Sequence, residues 1–416
     1  MEFSSEKQAV RGGLPLVLGT ITLVQSLATV AVLALATLAP VAALSLGVGA
    51  ETVGYQVAII YTAAALVSSS AGALVRRWGA CSISQAALAF GLVGILGLAS
   101  QHLLLIALAS VFIGIGYGLT NPASSHLLHR VSPPARRNLI FSLKQTGVPL
   151  GGVIAGLSLP PLTALFGWQG ALLSVAIVAL LLLIGIIPLR SSWDSDRDPA
   201  LLARSDLFSG PRLIWRSPHL RMLSLMGFCF SATQLSLMTF TVTLLVKDLD
   251  WSLVEAGAAA SVVQVIGAVA RVCWGEIADR LGNGLLVLVL IGILTVGAAL
   301  MVTAITPTWP QLAVVALLAG FGVAAIGWNG VFLAEVARSC HPAQIGTATG
   351  GALTFTFAGV VVGPSIYASL YSVFGSYTTT FGAIAIFPAV GVGFGALAHL
   401  TKKNRKVDSA SPCENP

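Results

Sequence analysis

Runs of about 20 residues without a full charge complement recur from one end of this chain to the other, and they decide most of what it can become. A helix rises about 1.5 Å per residue, so about 20 apolar residues match the hydrocarbon core of a bilayer. Twelve runs fall at 14–38, 53–74, 80–100, 103–126, 138–162, 169–189, 221–245, 253–274, 284–305, 310–335, 345–372 and 377–399. Barrel strands would instead alternate over roughly ten residues, and these runs do not. Only 9% of the residues are charged, against about 25% in a soluble domain, so a water-soluble core is excluded. The expected fold class is all-α integral membrane, with twelve transmembrane helices. The first apolar run continues to about Leu46, too long for a signal-peptide core, and is read as an uncleaved span.

The cations set an orientation. Lys and Arg collect in cytoplasmic loops, and an even span count puts both termini on one side. That side takes Lys7, Arg11, Arg76, Arg77, Arg130, Arg136, Arg137, Arg190, Arg197, Arg204, Arg212, Arg216, Arg221, Arg280, Arg338, Lys402, Lys403, Arg405 and Lys406, while Lys247 falls opposite. The net charge of +7 therefore reads as topology, and no nucleic-acid partner is expected. The expected location is the cell inner (plasma) membrane, multi-pass, with both termini cytoplasmic.

The two halves echo each other. Gly72-Ala73-Leu74-Val75-Arg76-Arg77-Trp78-Gly79 follows the second span as Gly275-Glu276-Ile277-Ala278-Asp279-Arg280-Leu281-Gly282 follows the eighth. Gly116-Tyr117-Gly118 in the fourth span answers Gly320-Phe321-Gly322 in the tenth, and Gln25 in the first answers Gln234 in the seventh. The fifth and eleventh spans both exit through Phe-Gly, at Phe166-Gly167 and Phe374-Gly375. Four matches in register point to duplication: residues 1–189 as one six-helix bundle, 190–220 as a cytoplasmic linker, 221–400 as the second bundle and 401–416 as a cytoplasmic tail. The linker, with Asp194, Asp196, Asp198 and Asp206 among its arginines, reads as solvated chain with a short surface helix.

Twelve spans as six plus six, with this turn in corresponding loops, resemble the major facilitator superfamily over nearly the whole chain. Gly275, Asp279, Arg280 and Gly282 match the family's loop motif; Gly72, Arg77 and Gly79 keep the first copy, but Arg76 stands where an aspartate is expected. The resemblance implies a loop that braces the state closed on the cytoplasmic side. It also implies a midplane substrate cavity lined by spans 1, 2, 4, 5, 7, 8, 10 and 11.

Polar residues fall on those same spans: Gln25, Tyr61, Asn121, Lys144, Gln145, Gln234, Gln264, Arg271, Trp328 and Asn329. Spans 6, 9 and 12 are almost wholly apolar and read as lipid-facing. Leaving aside Arg221 and Glu255 in the first turns of their spans, only Lys144 and Arg271 of the 22 Lys and Arg, and only Glu335 of the 15 acidic residues, lie within spans. Unpaired buried charge is costly, so the missing anion is expected to be the substrate, held by an arginine fork and a lysine point charge. The bland alternatives stand beside this. Arg271 has Glu276 and Asp279 within reach along its helix, both cations have stems long enough to snorkel, and Glu335 has Arg338 close by. The glutamines serve equally well as helix–helix glue, Tyr61 and Trp328 as core, and Asn121 as a support for the backbone before Pro122.

An eighth-span arginine four residues before the loop glycine is similar to that of monocarboxylate and oxalate transporters. The oxalate transporter's second cation lies in its eleventh span; here that span has none, and Lys144 occupies the pseudo-equivalent fifth. The expected function is secondary active transport of a small organic anion, a carboxylate, by alternating access. Proton coupling through Glu335 or His126 and anion exchange both stay open. The alternatives are a drug or siderophore efflux transporter, with Gly147, Pro149, Gly151 and Gly152 similar to an exporter motif at altered spacing, and a non-transporting membrane sensor. No enzyme chemistry, cofactor or metal is expected: there is no phosphate-binding loop, and Cys81, Cys229, Cys273, Cys340 and Cys413 show no ligand spacing. The expected partners are the bilayer, a small anionic solute and protons, with the chain acting as a monomer.

Overall fold

Inside a bilayer each backbone N–H and C=O must be paired within the chain, and the apolar runs meet that demand as helices. The structure, a computed structural model, describes residues 11–133, 140, 143–200, 209–340 and 345–408. Lys7, Arg136, Arg137, Arg204, Asp206 and Cys413 lie outside the described residues, as do 201–208 of the expected linker and 409–416 of the expected tail. Eleven helical stretches are long and apolar enough to cross a membrane, and one of them, the 51-residue Leu143–Trp193, holds two spans. Its turn is at Gly167, with φ 72 and ψ 167 inside an otherwise helical run. The result is a twelve-span, all-helical protein.

Contacts divide the chain into two compact units, residues 1–50 with 59–205 and residues 51–58 with 206–416. In the first unit, the first span (Gly13–Leu46) packs on the fourth (Leu103–Val131) and fifth, and the third (Ala80–Leu98) packs on the fourth and sixth. Glycine sets the closest of these approaches: a Cβ at Gly151 would lie 2.4 Å from the Ser26 carbonyl. In the second unit the seventh span (Pro218–Lys247) meets the eleventh (Ile345–Phe374) in the same manner, with a Cβ at Gly359 falling 2.1 Å from the Phe228 carbonyl. The residues of the exporter-like stretch thus have a packing role. The sixth span exposes Ile177, Val178, Leu181 and Ile184, and the ninth exposes Leu286, Ile293 and Leu294.

Three expectations need correction. The tenth span is two helices, Gln311–Ala325 and Asn329–Arg338, with a break at 326–328. The twelfth is likewise split at Ala385, where Pro388 in the next turn supplies no N–H to the preceding helix. The segment Gly275 to Leu281 is not a turn but the end of the helix Leu253–Leu281, and the chain leaves it at Gly282, φ 62. Nothing before Gly282 breaks the helix, and the Arg280–Glu276 pair at 2.8 Å supports its last turn.

The segment after the sixth span also differs from a solvated linker. Trp193 and Asp194 are buried, at 1% and 4% exposure. Asp194 caps the third span: one carboxylate oxygen accepts from Cys81 N–H at 2.6 Å, the other from Ser82 N–H at 3.0 Å and Ser82 Oγ at 2.6 Å. A carboxylate here answers the unpaired N–H groups and positive end of the helix. In the second unit Asp248 does the same for the twelfth span, accepting from Thr378 N–H at 2.8 Å and Ser376 Oγ at 3.0 Å.

Candidate substrate site

Among the described residues Lys144 is the one Lys or Arg that is fully buried, at 2% exposure. It lies one turn before the helix Gly147–Gly185, and Gly147 lets that helix press on the first span: a Cβ there would sit 3.0 Å from Gln25 Cβ. Lys144 Nζ donates to Gln25 Oε1 at 3.3 Å and to Asn121 Oδ1. Thr120 Oγ1 donates to the same Gln25 oxygen at 3.0 Å, and Gln25 Nε2 is buried without a partner among the described residues. The ammonium is therefore met by neutral amide oxygens, and no carboxylate pairs with it among the described residues. Tyr61 packs edge-on against Tyr117, ring centres 5.5 Å apart. Tyr117, Thr120 and Asn121 follow at i, i+3 and i+4 and share one helix face.

The second unit treats its cation differently. Arg271 is half-buried, and its Nε and Nη2 both donate to the Ile326 carbonyl at 3.3 Å. That carbonyl lies in the break of the tenth span, where helix ends leave C=O groups to be satisfied from outside. One turn along the eighth span, Trp274 Nε1 donates to Val323 O at 2.8 Å. Gly327 leaves room for the indole, since a Cβ there would meet Trp274 Cδ1 at 2.5 Å. The eighth span thus holds the broken tenth at two points.

Trp328 is buried at 1% exposure, donates through Nε1 to Gln234 Oε1 at 2.9 Å, and stacks edge-on against Phe230. Gln264 is 6% exposed and its Oε1 has no partner among the described residues. Asn329 is half-buried and opens the helix Asn329–Arg338.

The fold gathers Gln25, Asn121 and Lys144 into one cluster and pairs Gln234 with Trp328. It leaves Gln145 exposed beside Lys144. His126 is held elsewhere, at the end of the fourth span, where its Nε2 lies 2.7 Å from Asp196 Oδ2 and Arg130 Nη1 binds the other oxygen at 2.7 Å. Glu335, 2% exposed, lies 3.5 Å from Arg338 Nε. Sequence reasoning passed over Thr120, Trp274 and Asp194. Thr120 was legible from its i+3 spacing to Tyr117, whereas Trp274 is recognisable only once the break at 326–328 is known.

The Major Facilitator Superfamily signature matches residues 21–364. Two uncharacterized MFS-type transporters of Mycobacterium tuberculosis, from strains CDC 1551 / Oshkosh and ATCC 25618 / H37Rv, are 27% and 26% identical over 300 residues. Those matches cover 71% of this chain and 65% of each relative's length. A bacterial homolog of the human lysosomal transporter Spinster, crystallised in an inward-facing and occupied conformation, superposes with TM-score 0.76 at 15% identity, over 93% of this chain and 97% of that one. The nucleoside transporter NupG gives TM-score 0.73 at 15% identity, over 92% and 99%. A POT family transporter in complex with 5-aminolevulinic acid gives 0.71 at 16% identity, over 95% and 98%. At such identities the structural likeness shows the fold alone. Signature, spans and fold lead to one statement: this chain belongs to the Major Facilitator Superfamily and is a multi-pass membrane protein.

Proposed function

We propose that the protein carries a small organic anion, a carboxylate, by alternating access in an inner membrane with both termini cytoplasmic. One observation carries the reading: Lys144 is buried at 2% exposure, and its hydrogen-bond partners among the described residues are amide oxygens. Hydrogen bonds to a charged group contribute about 1.5–3 kcal/mol each. Burying an ammonium costs several kcal/mol even after relaxation; the two amides offset that cost but leave the charge uncancelled, which suits an anion. Gln25 Nε2, a buried donor without a partner among the described residues, would add a hydrogen bond to a carboxylate oxygen. Arg271 is a second candidate cation, in the other unit, and its contact with Ile326 gives it a bracing role as well.

Coupling is proposed as proton symport or anion exchange. Glu335 and His126 are the titratable candidates for the first, and exchange requires neither. The test is uptake of a labelled carboxylate panel by proteoliposomes, comparing wild type with Lys144→Met. Loss of anion uptake in the variant is the expected outcome. Undiminished uptake would overturn the reading and favour the broader efflux alternative, in which neutralising Lys144 has little effect.

A further inference from the structure

A second basic feature sits away from Lys144, within the first unit. A pocket of about 270 Å³ is lined by Arg77, Trp78, Ser82, Arg190, Arg197 and Pro199, together with Ile83 and Ala86. We propose that it binds the phosphate headgroup of an anionic phospholipid.

Charge comes first. Three arginines line one small space. Asp194 lies 3.9 Å from Arg190 and offsets its charge while its oxygens also accept from Cys81 and Ser82. Asp196 is taken by Arg130 and His126, and Asp198 Oδ1 accepts from Ala200 N–H. Arg77 and Arg197 form no ion pair among the described residues. The planar donor fork of arginine suits a phosphate's oxygens better than a single point charge does.

Position comes second. Three spans end at this pocket: the second at Trp78, the third at Ala80 and the sixth at Gly185. Trp78 lines it and is 52% exposed, as are Ile184 and Ile187 at the end of the sixth span. Exposed indole and isoleucine at span ends mark the headgroup level, where tryptophan concentrates and basic pockets between helices take lipid phosphates. A soluble phosphate would use the arginines but gain nothing from that apolar rim, so the lipid is the occupant argued for.

The first copy of the loop motif gains a meaning here. Arg76, standing where the motif expects an acid, puts a cation rather than a carboxylate next to Arg77 in the chain, while the Arg76 carbonyl accepts from Asp198 N–H at 2.9 Å and holds the segment bearing Arg197 in place.

The test uses the full chain in nanodiscs, with native mass spectrometry counting retained lipid on titration with phosphatidylglycerol or phosphatidylcholine. Wild type is expected to retain phosphatidylglycerol selectively. Arg77→Gln/Arg197→Gln should weaken that retention about tenfold, and Arg197→Gln alone by less. Arg216→Gln, which removes the same charge from an exposed site in the other unit, should leave it unchanged. Melting temperature in phosphatidylcholine establishes that each variant is folded. Equal retention in wild type and the double variant, or an equal loss in Arg216→Gln, would overturn the proposal. So would inorganic phosphate reproducing the lipid's stabilisation in the absence of phosphatidylglycerol, which would assign the pocket to a soluble phosphate.

Discussion

Lys144 in the first unit and Arg271 in the second are held in unlike ways. Lys144 lies against amide side chains from the first and fourth spans, whereas Arg271 donates to a backbone carbonyl exposed by a broken helix. A lysine held by amides keeps a charge that those partners do not cancel. An arginine held by a carbonyl supplies what the backbone lacked. The difference teaches that a cation in a span is no single signal: one reads as a demand for an anion, the other as a repair to the chain.

The contrast can be broken most forcefully at Lys144. Lys144→Met should reduce anion uptake by at least ~30-fold, the scale expected when one partner of a buried charge contact is removed, without lowering the melting temperature. A fall in both together would make Lys144 structural and erase the contrast. The paired glycines at the ends of the loop motif give the next largest effect. Gly79 has φ 96 and ψ 155, and a Cβ there would lie 2.2 Å from Asp194 Cγ; Gly282 has φ 62 and no atom within 4 Å. Gly79→Ala should therefore destabilise by at least about 2 kcal/mol, and Gly282→Ala by about 1 kcal/mol, as read by thermal unfolding in detergent. Similar losses would show that the two copies bear equal load.

Arg271→Met should then lower stability by about 1–3 kcal/mol, because the Ile326 carbonyl loses its donor. That is opposite in kind to the lysine, and a stable Arg271 variant would place both cations in one class. The smallest effect is expected at Arg280→Ala. Its exposed partner is Glu276, one turn away, and pairs of this type contribute about 0.2–0.5 kcal/mol.

Much of this architecture was readable in the chain. The spans and the all-helical class follow from apolar runs that any membrane core would demand. The break at 326–328 was not readable, because Ile326, Gly327 and Trp328 carry no proline and remain apolar enough to continue a helix. Its cause lies in partners from the eighth span, Trp274 and Arg271, which local pattern cannot reveal. Asp194 was misread for a related reason. An aspartate among Ser, Asp and Arg has the composition of solvated chain, and only tertiary contact with the third span takes it out of water. At the site, residue type and span placement pointed to Gln25, Asn121 and Lys144, but their convergence depends on Gly147 allowing two helices to touch.

The cap that Asp194 provides also constrains how the protein can be made. The two amides it satisfies belong to Cys81 and Ser82, and Cys81 emerges from the ribosome 113 residues earlier. Throughout synthesis of the intervening chain, the start of the third span must rely on water or translocon surfaces for those N–H groups. This cap on the third span can therefore form only after the sixth span has been made and the aspartate behind it delivered.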